Sequence, residues 1–172
     1  MIIWLNGTFG AGKTTTADIL VGLLPGFRIF DPETVGYMLR PNLEDEPVAD
    51  FQHWAAWRPL VVATARELIV QTGMDLVAPQ TVLDPTYMTE ILGGLKQAGE
   101  EVLHVLLDCD LDVLRGRIAA SPEATEWRLS HLAPYAAARP WMLASADLVM
   151  DTTAMAPHEV AATIATAATA RP

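Results

Sequence analysis

Residues 1–14, MIIWLNGTFGAGKT, decide how this chain is read. An apolar run, Met1 to Leu5, enters a glycine-rich loop closing on Gly12-Lys13-Thr14, and a helix-compatible segment, Thr15 to Leu24, follows. The order is strand, loop, helix. Gly7, four residues, then Gly12-Lys13-Thr14 satisfies the phosphate-loop pattern G-x-x-x-x-G-K-[ST] at every defined position. Gly7, Gly10 and Gly12 let the backbone amides of Thr8, Phe9, Ala11 and Thr15 approach phosphate oxygens without an intervening Cβ. Those amides sit at a helix N-terminus, where unpaired donors and the positive end of the dipole favour an anion. Lys13 is placed to reach the β- and γ-phosphates of ATP and the Thr14 hydroxyl to ligate Mg²⁺. A chance match of this pattern arises in roughly one chain in a hundred of this length. The strand-like run before it and Ala17, Leu20, Val21 and Leu24 at helical spacing after it make chance a poor account.

The 172 residues, 51% hydrophobic and 19% charged, suffice for one well-buried core and predict a single domain, residues 1–172. A net charge of −10 argues against a nucleic-acid or anionic-membrane surface. Lysine occurs only at positions 13 and 96, so its use in the loop is informative. The single Cys109 excludes an internal disulfide and suits a reducing cytoplasm, where we expect the protein; an inert core thiol is the expected role. The first residues form a strand without a basic leader, and no uncharged run is long enough to span a membrane. Four scattered histidines and one cysteine give no zinc-site spacing.

Pro25-Gly26 ends the first helix. Phe27 to Phe30 predicts a second strand ending at Asp31, and Pro32 opens a helix over Glu33 to Leu39. The acidic, proline-bounded Pro41 to Asp50 is a loop. A turn reaches Trp54, and a longer helix is entered around Trp57 to Pro59. Leu76 to Pro79 is a third strand and Asp84-Pro85-Thr86 opens a helix to Gln97. Glu101 to Asp108 is nearly continuous in apolar residues, as a parallel strand covered on both faces should be. A helix over Asp110 to Ala120, helical fragments from Pro122 to Leu143, a strand at Leu148 to Asp151 and a helix at Ala156 to Ala170 complete the chain. Strands alternating with helices predict an α/β fold, a parallel sheet with helices on both faces, binding ligands beyond the carboxyl ends of its strands. The loop, Asp31, Pro79-Gln80, Asp108 and Asp151 fall on that edge.

With these landmarks the chain resembles P-loop kinases of the nucleoside-monophosphate, shikimate and gluconate kinase type, and more closely the tunicamycin-resistance protein family. The resemblance rests on residues 2–17, FDPETVGYMLR at 30–40, DFQHWAAWR at 50–58, residues 76–92, residues 104–118 and EATEWRLSHL at 123–132. It implies a three-layer fold with a five-stranded parallel sheet, an acceptor-binding region at about 31–72 and a small helical lid at about 117–143. Two positions depart from the family pattern. Pro79-Gln80-Thr81 stands where Pro-Met-Thr is expected, and Ala119-Ala120-Ser121 follows Arg117-Ile118 where a second arginine is expected, leaving Arg128 or Arg139 to stabilise the lid.

Phosphoryl transfer needs an anion cradle, a metal, a group orienting the attacking oxygen and cations on the moving phosphoryl. Asp31 is the candidate base; its competing role is to cap the helix that Pro32 starts. Glu33 either assists with metal or water or is a first-turn acid favoured by the helix dipole. Arg40 and Arg58 flank the acidic loop and suit an anionic group on the acceptor, or pair with Glu44, Asp45 or Glu46. Tyr37, Phe51, Trp54 and Trp57 are candidates for stacking on a sugar, base or acyl group, although an aromatic stripe at helical spacing is usually core. Arg117, then Arg128, is the expected lid cation on the γ-phosphate. The third strand lacks a closing Asp, so Mg²⁺ would rest on Thr14, phosphates and water, which disfavours a switch ATPase.

The expected activity is ATP-dependent phosphorylation of a nucleoside-like or sugar-like small molecule, with ATP and Mg²⁺ as cofactors. The resemblance adds tunicamycin or a related uridine-containing compound as a target of resistance. The competing reading is an ATP-binding protein that sequesters the antibiotic without transfer. The resemblance also raises peripheral membrane contact through the C-terminal helix. That helix lacks a basic face and bulky aromatics, and docking onto the domain is the expectation.

Overall fold

β1 (Ile2–Asn6) is an unbroken buried run because both of its faces are covered. Its period of two sends Ile3 and Leu5 into one apolar cluster and Ile2 and Trp4 into another, on opposite faces of the sheet. The computed structural model describes residues 1–121 and 125–171. β2 (Phe27–Ile29), β3 (Asp75–Pro79), β4 (Val102–Asp108) and β5 (Leu148–Asp151) join β1 in an all-parallel five-stranded sheet of order β2-β3-β1-β4-β5. The first cluster draws on α1 (Lys13–Leu23), α5 (Leu111–Ala119), α7 (Leu132–Ser145) and α8 (Pro157–Thr169). The second draws on α2 (Glu33–Leu39), α3 (Trp57–Thr72) and α4 (Pro85–Gln97). Three layers result, as expected.

Element ends follow local chemistry. Asp84 caps α4 by accepting the Thr86 and Tyr87 amides at 2.7 and 3.1 Å, and Asp110 caps α5 through the Asp112 amide at 2.8 Å. α3 starts at Trp57, with Pro59 harmless in its first turn, and stops at the left-handed Gly73. β2 closes one residue earlier than expected, although the Phe30 amide still reaches the Val77 carbonyl at 3.0 Å. The fragments expected from Pro122 are α6 (Thr125–Ser130) and α7, which carries Pro140 inside it; residues 122–124 of that segment lie outside the described residues.

α8 docks onto α1 by burying Val160, Ala161, Ile164 and Ala168. Among the described residues no helix is long and apolar enough to cross a membrane. On the opposite face, α2 accepts the Phe51 ring against Gly36, where a Cβ would lie 2.5 Å from the ring. Trp57 donates its indole N–H to the Pro32 carbonyl at 3.1 Å. These contacts hold the 31–53 segment as one wall above the carboxyl ends of β2 and β3.

His104, buried in β4, meets the Ser145 carbonyl with Nδ1 at 3.3 Å and has no partner for Nε2. Burial pulls its pKa below 6.5, with Ser145 and Asp147 opposing and Lys96 adding to the effect. The unfolded chain therefore binds a proton that the folded chain resists, and stability should fall as pH drops below about 6.5. Thermal melts between pH 7.5 and 5 should show this slope in the parent and a flatter one in His104→Leu; parallel slopes would refute it.

Candidate active site

β1 ends in Asn6, a buried polar residue whose side chain joins two loops. Its Oδ1 accepts the Gly7 amide at 2.8 Å and the Val82 amide at 2.9 Å, while Nδ2 donates to the Val82 carbonyl at 3.0 Å. Thr81 Oγ1 donates to the Gly7 carbonyl at 2.8 Å. The phosphate loop is thereby pinned to the segment after β3. Gly7 is buried at φ +147°, and a Cβ there would lie 2.7 Å from the Leu107 carbonyl oxygen, a backbone atom that cannot move aside. Gly7→Ala should therefore cost about 1–3 kcal/mol in strain and misplace the loop amides. Differential scanning fluorimetry should show a lower Tm and a lost shift with an ATP analogue; a parental Tm with a parental shift would contradict the geometry.

α1 begins at the left-handed Gly12 with no side-chain cap, so its first-turn amides are open to an anion. The Thr8 hydroxyl is buried without a partner, a second unmet hydrogen-bonding group in the loop. Lys13 folds back over the loop, Nζ donating to the carbonyls of Gly7 at 3.0 Å and Thr8 at 3.1 Å. Burial of the ammonium lowers its pKa to about 8, with Glu33 opposing and Arg128 adding to the shift. These groups fit a polyphosphate, and the exposed Thr14 hydroxyl beside them fits a hard cation.

The loop opens on a cleft of about 1260 Å³. Thr8, Phe9, Gly10, Gly12, Lys13, Thr14 and Thr15 line one end; Asp31, Glu33, Tyr37 and Arg40 line the other, and Arg128 reaches it from α6. Gly7 and Ala11 lie behind the loop surface, both buried. Asp31 follows β2. Its Oδ1 accepts the Glu33 amide at 2.9 Å across the turn that leads into α2, whose N-cap position is Pro32, and Oδ2 has no hydrogen-bond partner among the described residues. Glu33 accepts the Tyr37 hydroxyl at 2.8 Å, which raises the Tyr37 pKa. The Arg40 guanidinium lies 5.8 Å from the Tyr37 ring centroid.

Three expected site residues are placed outside this cleft. Arg58 is committed to Glu90 and to the Gln52 carbonyl at 2.8 Å, and its guanidinium stacks 4.1 Å from the Tyr87 ring centroid. Trp54 donates its indole N–H to the Glu46 carbonyl at 2.8 Å and bounds the acidic loop from behind. Arg117 lies on the far side of the phosphate loop, bonded to the carbonyls of Thr152 at 2.7 Å and Gly10 at 3.3 Å. There it lines a second depression of about 270 Å³ with Thr15, Met155 and Pro157. Arg139, the other lid candidate, is bonded through Nε and Nη2 to Asp108 at 2.7 and 2.6 Å, joined by the Tyr135 hydroxyl at 2.6 Å. Burial would raise the Asp108 carboxyl; these hydrogen bonds outweigh it and hold the pKa below the usual range.

Several cleft residues carry no motif. Asp50, Gln52, His53, Gln80, Asp84 and Tyr87 line the end near Asp31. Near the phosphate loop, Phe9 packs on Trp127 and His131 of the α6–α7 segment, ring centroids 4.7 and 5.0 Å apart. The Arg128 guanidinium is 5.9 Å from the same ring. A Phe inside the variable part of the phosphate pattern, an exposed Trp127 beside Arg128 in one short helix, and His131 just after it are the available signals, and none is specific alone.

A sequence profile for an AAA domain matches residues 2–137. The chain belongs to this AAA-domain family. No curated protein matches it in sequence. Among solved structures, the AAA-domain chain is similar to the Deinococcus radiodurans tunicamycin resistance protein, at 29% identity, TM-score 0.75, over 98% of this chain and 95% of that one. A sugar kinase from Janibacter sp. HTCC2649 superposes with TM-score 0.66 at 20% identity, over 96% of this chain and 92% of that one. The Acinetobacter baumannii shikimate kinase in complex with shikimate does so with TM-score 0.64 at 22% identity, over 98% and 93%. This AAA domain therefore has the P-loop kinase fold.

Proposed function

We propose that the protein is a small-molecule kinase that transfers the γ-phosphoryl group of ATP to a hydroxyl of a nucleoside-like or sugar-like acceptor. The observation that carries this reading is the meeting, in one cleft, of a phosphate loop with open amides and an Asp31 carboxylate oxygen with no hydrogen-bond partner among the described residues. The loop amides, the Thr8 hydroxyl and Lys13 hold the phosphates, and the depression beside Arg117 accommodates the nucleotide base. Thr14 and, through water, Asp31 are the groups that would hold Mg²⁺, which when bound neutralises charge on the phosphates. Asp31 Oδ2 orients the acceptor hydroxyl and takes its proton as the oxygen forms its bond to the γ-phosphorus. The bond from that phosphorus to the bridging oxygen breaks, and ADP leaves with the electron pair. Arg128 offers positive charge at the loop, and the Phe9, Trp127 and His131 stack shields it from water.

A second reading draws on the similarity to a protein named for tunicamycin resistance. In it the cleft binds ATP and holds the antibiotic without transfer. ³¹P NMR of the protein with ATP, Mg²⁺ and a panel of nucleosides, aminoglycosides and tunicamycin separates the two. A new phosphoester formed with stoichiometric ADP is the expected result. Tight tunicamycin binding with ATP intact would establish sequestration instead.

A further inference from the structure

The acceptor end of the cleft is rich in acceptors and poor in positive charge. Sheet order sets Asp31 and Gln80 side by side after the neighbouring strands β2 and β3, and the Gln52 amide ties the 51–53 turn over them through the Thr81 carbonyl at 3.0 Å. Two further carboxylates line this end. Asp50 uses Oδ1 for the Gln52 amide at 2.9 Å, and Asp84 uses Oδ1 for the Thr86 and Tyr87 amides. Oδ2 of each has no hydrogen-bond partner among the described residues.

Gln80 supplies an independent sign of what binds. It is 2% exposed and lines the same cleft. Its Nε2 donates to the Thr81 carbonyl at 3.1 Å, and its Oε1 is buried with no donor among the described residues. An unmet buried acceptor is unfavourable, and a ligand N–H arriving there removes the penalty. Arg58, the arginine best suited by sequence to an anionic acceptor, is turned away from the cleft by Glu90, the Gln52 carbonyl and the Tyr87 ring. Among the described residues, Arg40 and His53 are then the basic side chains lining this end, against Asp31, Glu33, Asp50 and Asp84, while Lys13 and Arg128 line the cleft at the phosphate loop. The Tyr37 and Phe51 rings line the same end, and aromatic faces attract cations. Outside the cleft, Glu44, Asp45 and Glu46 extend the negative field over its lip.

We propose that the acceptor is a cationic, amine-bearing polyhydroxyl compound of the aminosugar or aminocyclitol class. Its ammonium groups are held by Asp50 and Asp84, an N–H is donated to Gln80 Oε1, and a hydroxyl is presented to Asp31. The assignment of this ligand as phosphate acceptor rests on the phosphotransferase reading; the charge preference does not.

Isothermal titration calorimetry of the full chain with Mg²⁺ and a non-hydrolysable ATP analogue tests it, with tobramycin and fully N-acetylated tobramycin as probes. Tobramycin should bind at least about tenfold more tightly than the neutral form, and Asp50→Asn and Asp84→Asn, which keep the caps, should each erase most of that preference. The lip variant Glu44→Gln with Asp45→Asn and Glu46→Gln should keep it. Equal affinity for the two probes, no millimolar binding of either, or an equal loss in the lip and cleft variants would overturn the proposal. Absence of analogue binding, or tobramycin binding without a phosphoester in ³¹P NMR, would instead remove the phosphotransferase reading and leave the cation preference standing.

Discussion

Asp31→Asn should lower kcat for phosphoryl transfer by about 10²–10⁴-fold while leaving the KM for ATP near its parental value. The variant separates chemistry from architecture. Asp31 Oδ1 accepts the Glu33 amide at 2.9 Å, and an asparagine side-chain oxygen makes the same bond, so the turn into the helix over Glu33–Leu39 is kept. What is lost is Oδ2, which has no hydrogen-bond partner among the described residues, on a side chain that lines the same cleft as the phosphate loop. An amide at that position cannot take the acceptor's proton. A coupled ADP-release assay at saturating acceptor reads the effect. A kcat within threefold of the parent, with Tm unchanged, would remove Asp31 from the chemistry and leave it holding the turn into that helix.

Lys13→Met should reduce kcat/KM for ATP by about 10²–10³-fold, since one preorganised cation on the developing charge is lost from a shielded site. The free protein already shows how this lysine is poised. Burial sets its pKa near 8, and among the described residues its hydrogen-bond partners are the loop carbonyls of Gly7 and Thr8. Phosphate oxygens favour the charged form, so binding the ATP analogue at pH 8 should take up roughly half a proton, and close to none at pH 6.5. Calorimetry in two buffers of different ionisation enthalpy measures that uptake. Lys13→Met should abolish it. Uptake that persists in the variant would place the titrating group elsewhere.

Most of the α/β architecture was legible because its signals are local. Pro25-Gly26, Asp84-Pro85 and Asp110 punctuate the chain through backbone chemistry that needs no distant partner, and the elements end within a residue or two of where those signals put them. The phosphate loop was legible for the same reason: its geometry follows from glycine spacing and a helix start. Asp31 could be placed on the ligand edge because every parallel strand ends there.

The arginines show where local reasoning stops. Arg58, Arg117, Arg128 and Arg139 all sit in segments that surround the cleft, and their long side chains can turn toward it or away. Glu90 claims Arg58 across a separation of 32 residues, and Asp108 claims Arg139 across 31. The Thr152 carbonyl claims Arg117 across 35. None of these partners is visible from spacing. Gln80 is the converse case: its departure from the family pattern was plain, yet only burial reveals an acceptor without a donor.

The sequence alone determined that this protein carries a polyphosphate loop on a parallel sheet, because glycine, lysine and apolar periodicity act within a few residues of one another. Tertiary structure alone decided which charges reach the cleft. Ion pairs and carbonyl contacts are made by groups that folding brings together from distant elements, and each turns one of these arginines away from the cleft. Arg58 and Arg139 are held in ion pairs and Arg117 by backbone carbonyls, while Asp31, Asp50, Asp84 and Gln80 line the cleft with the loop.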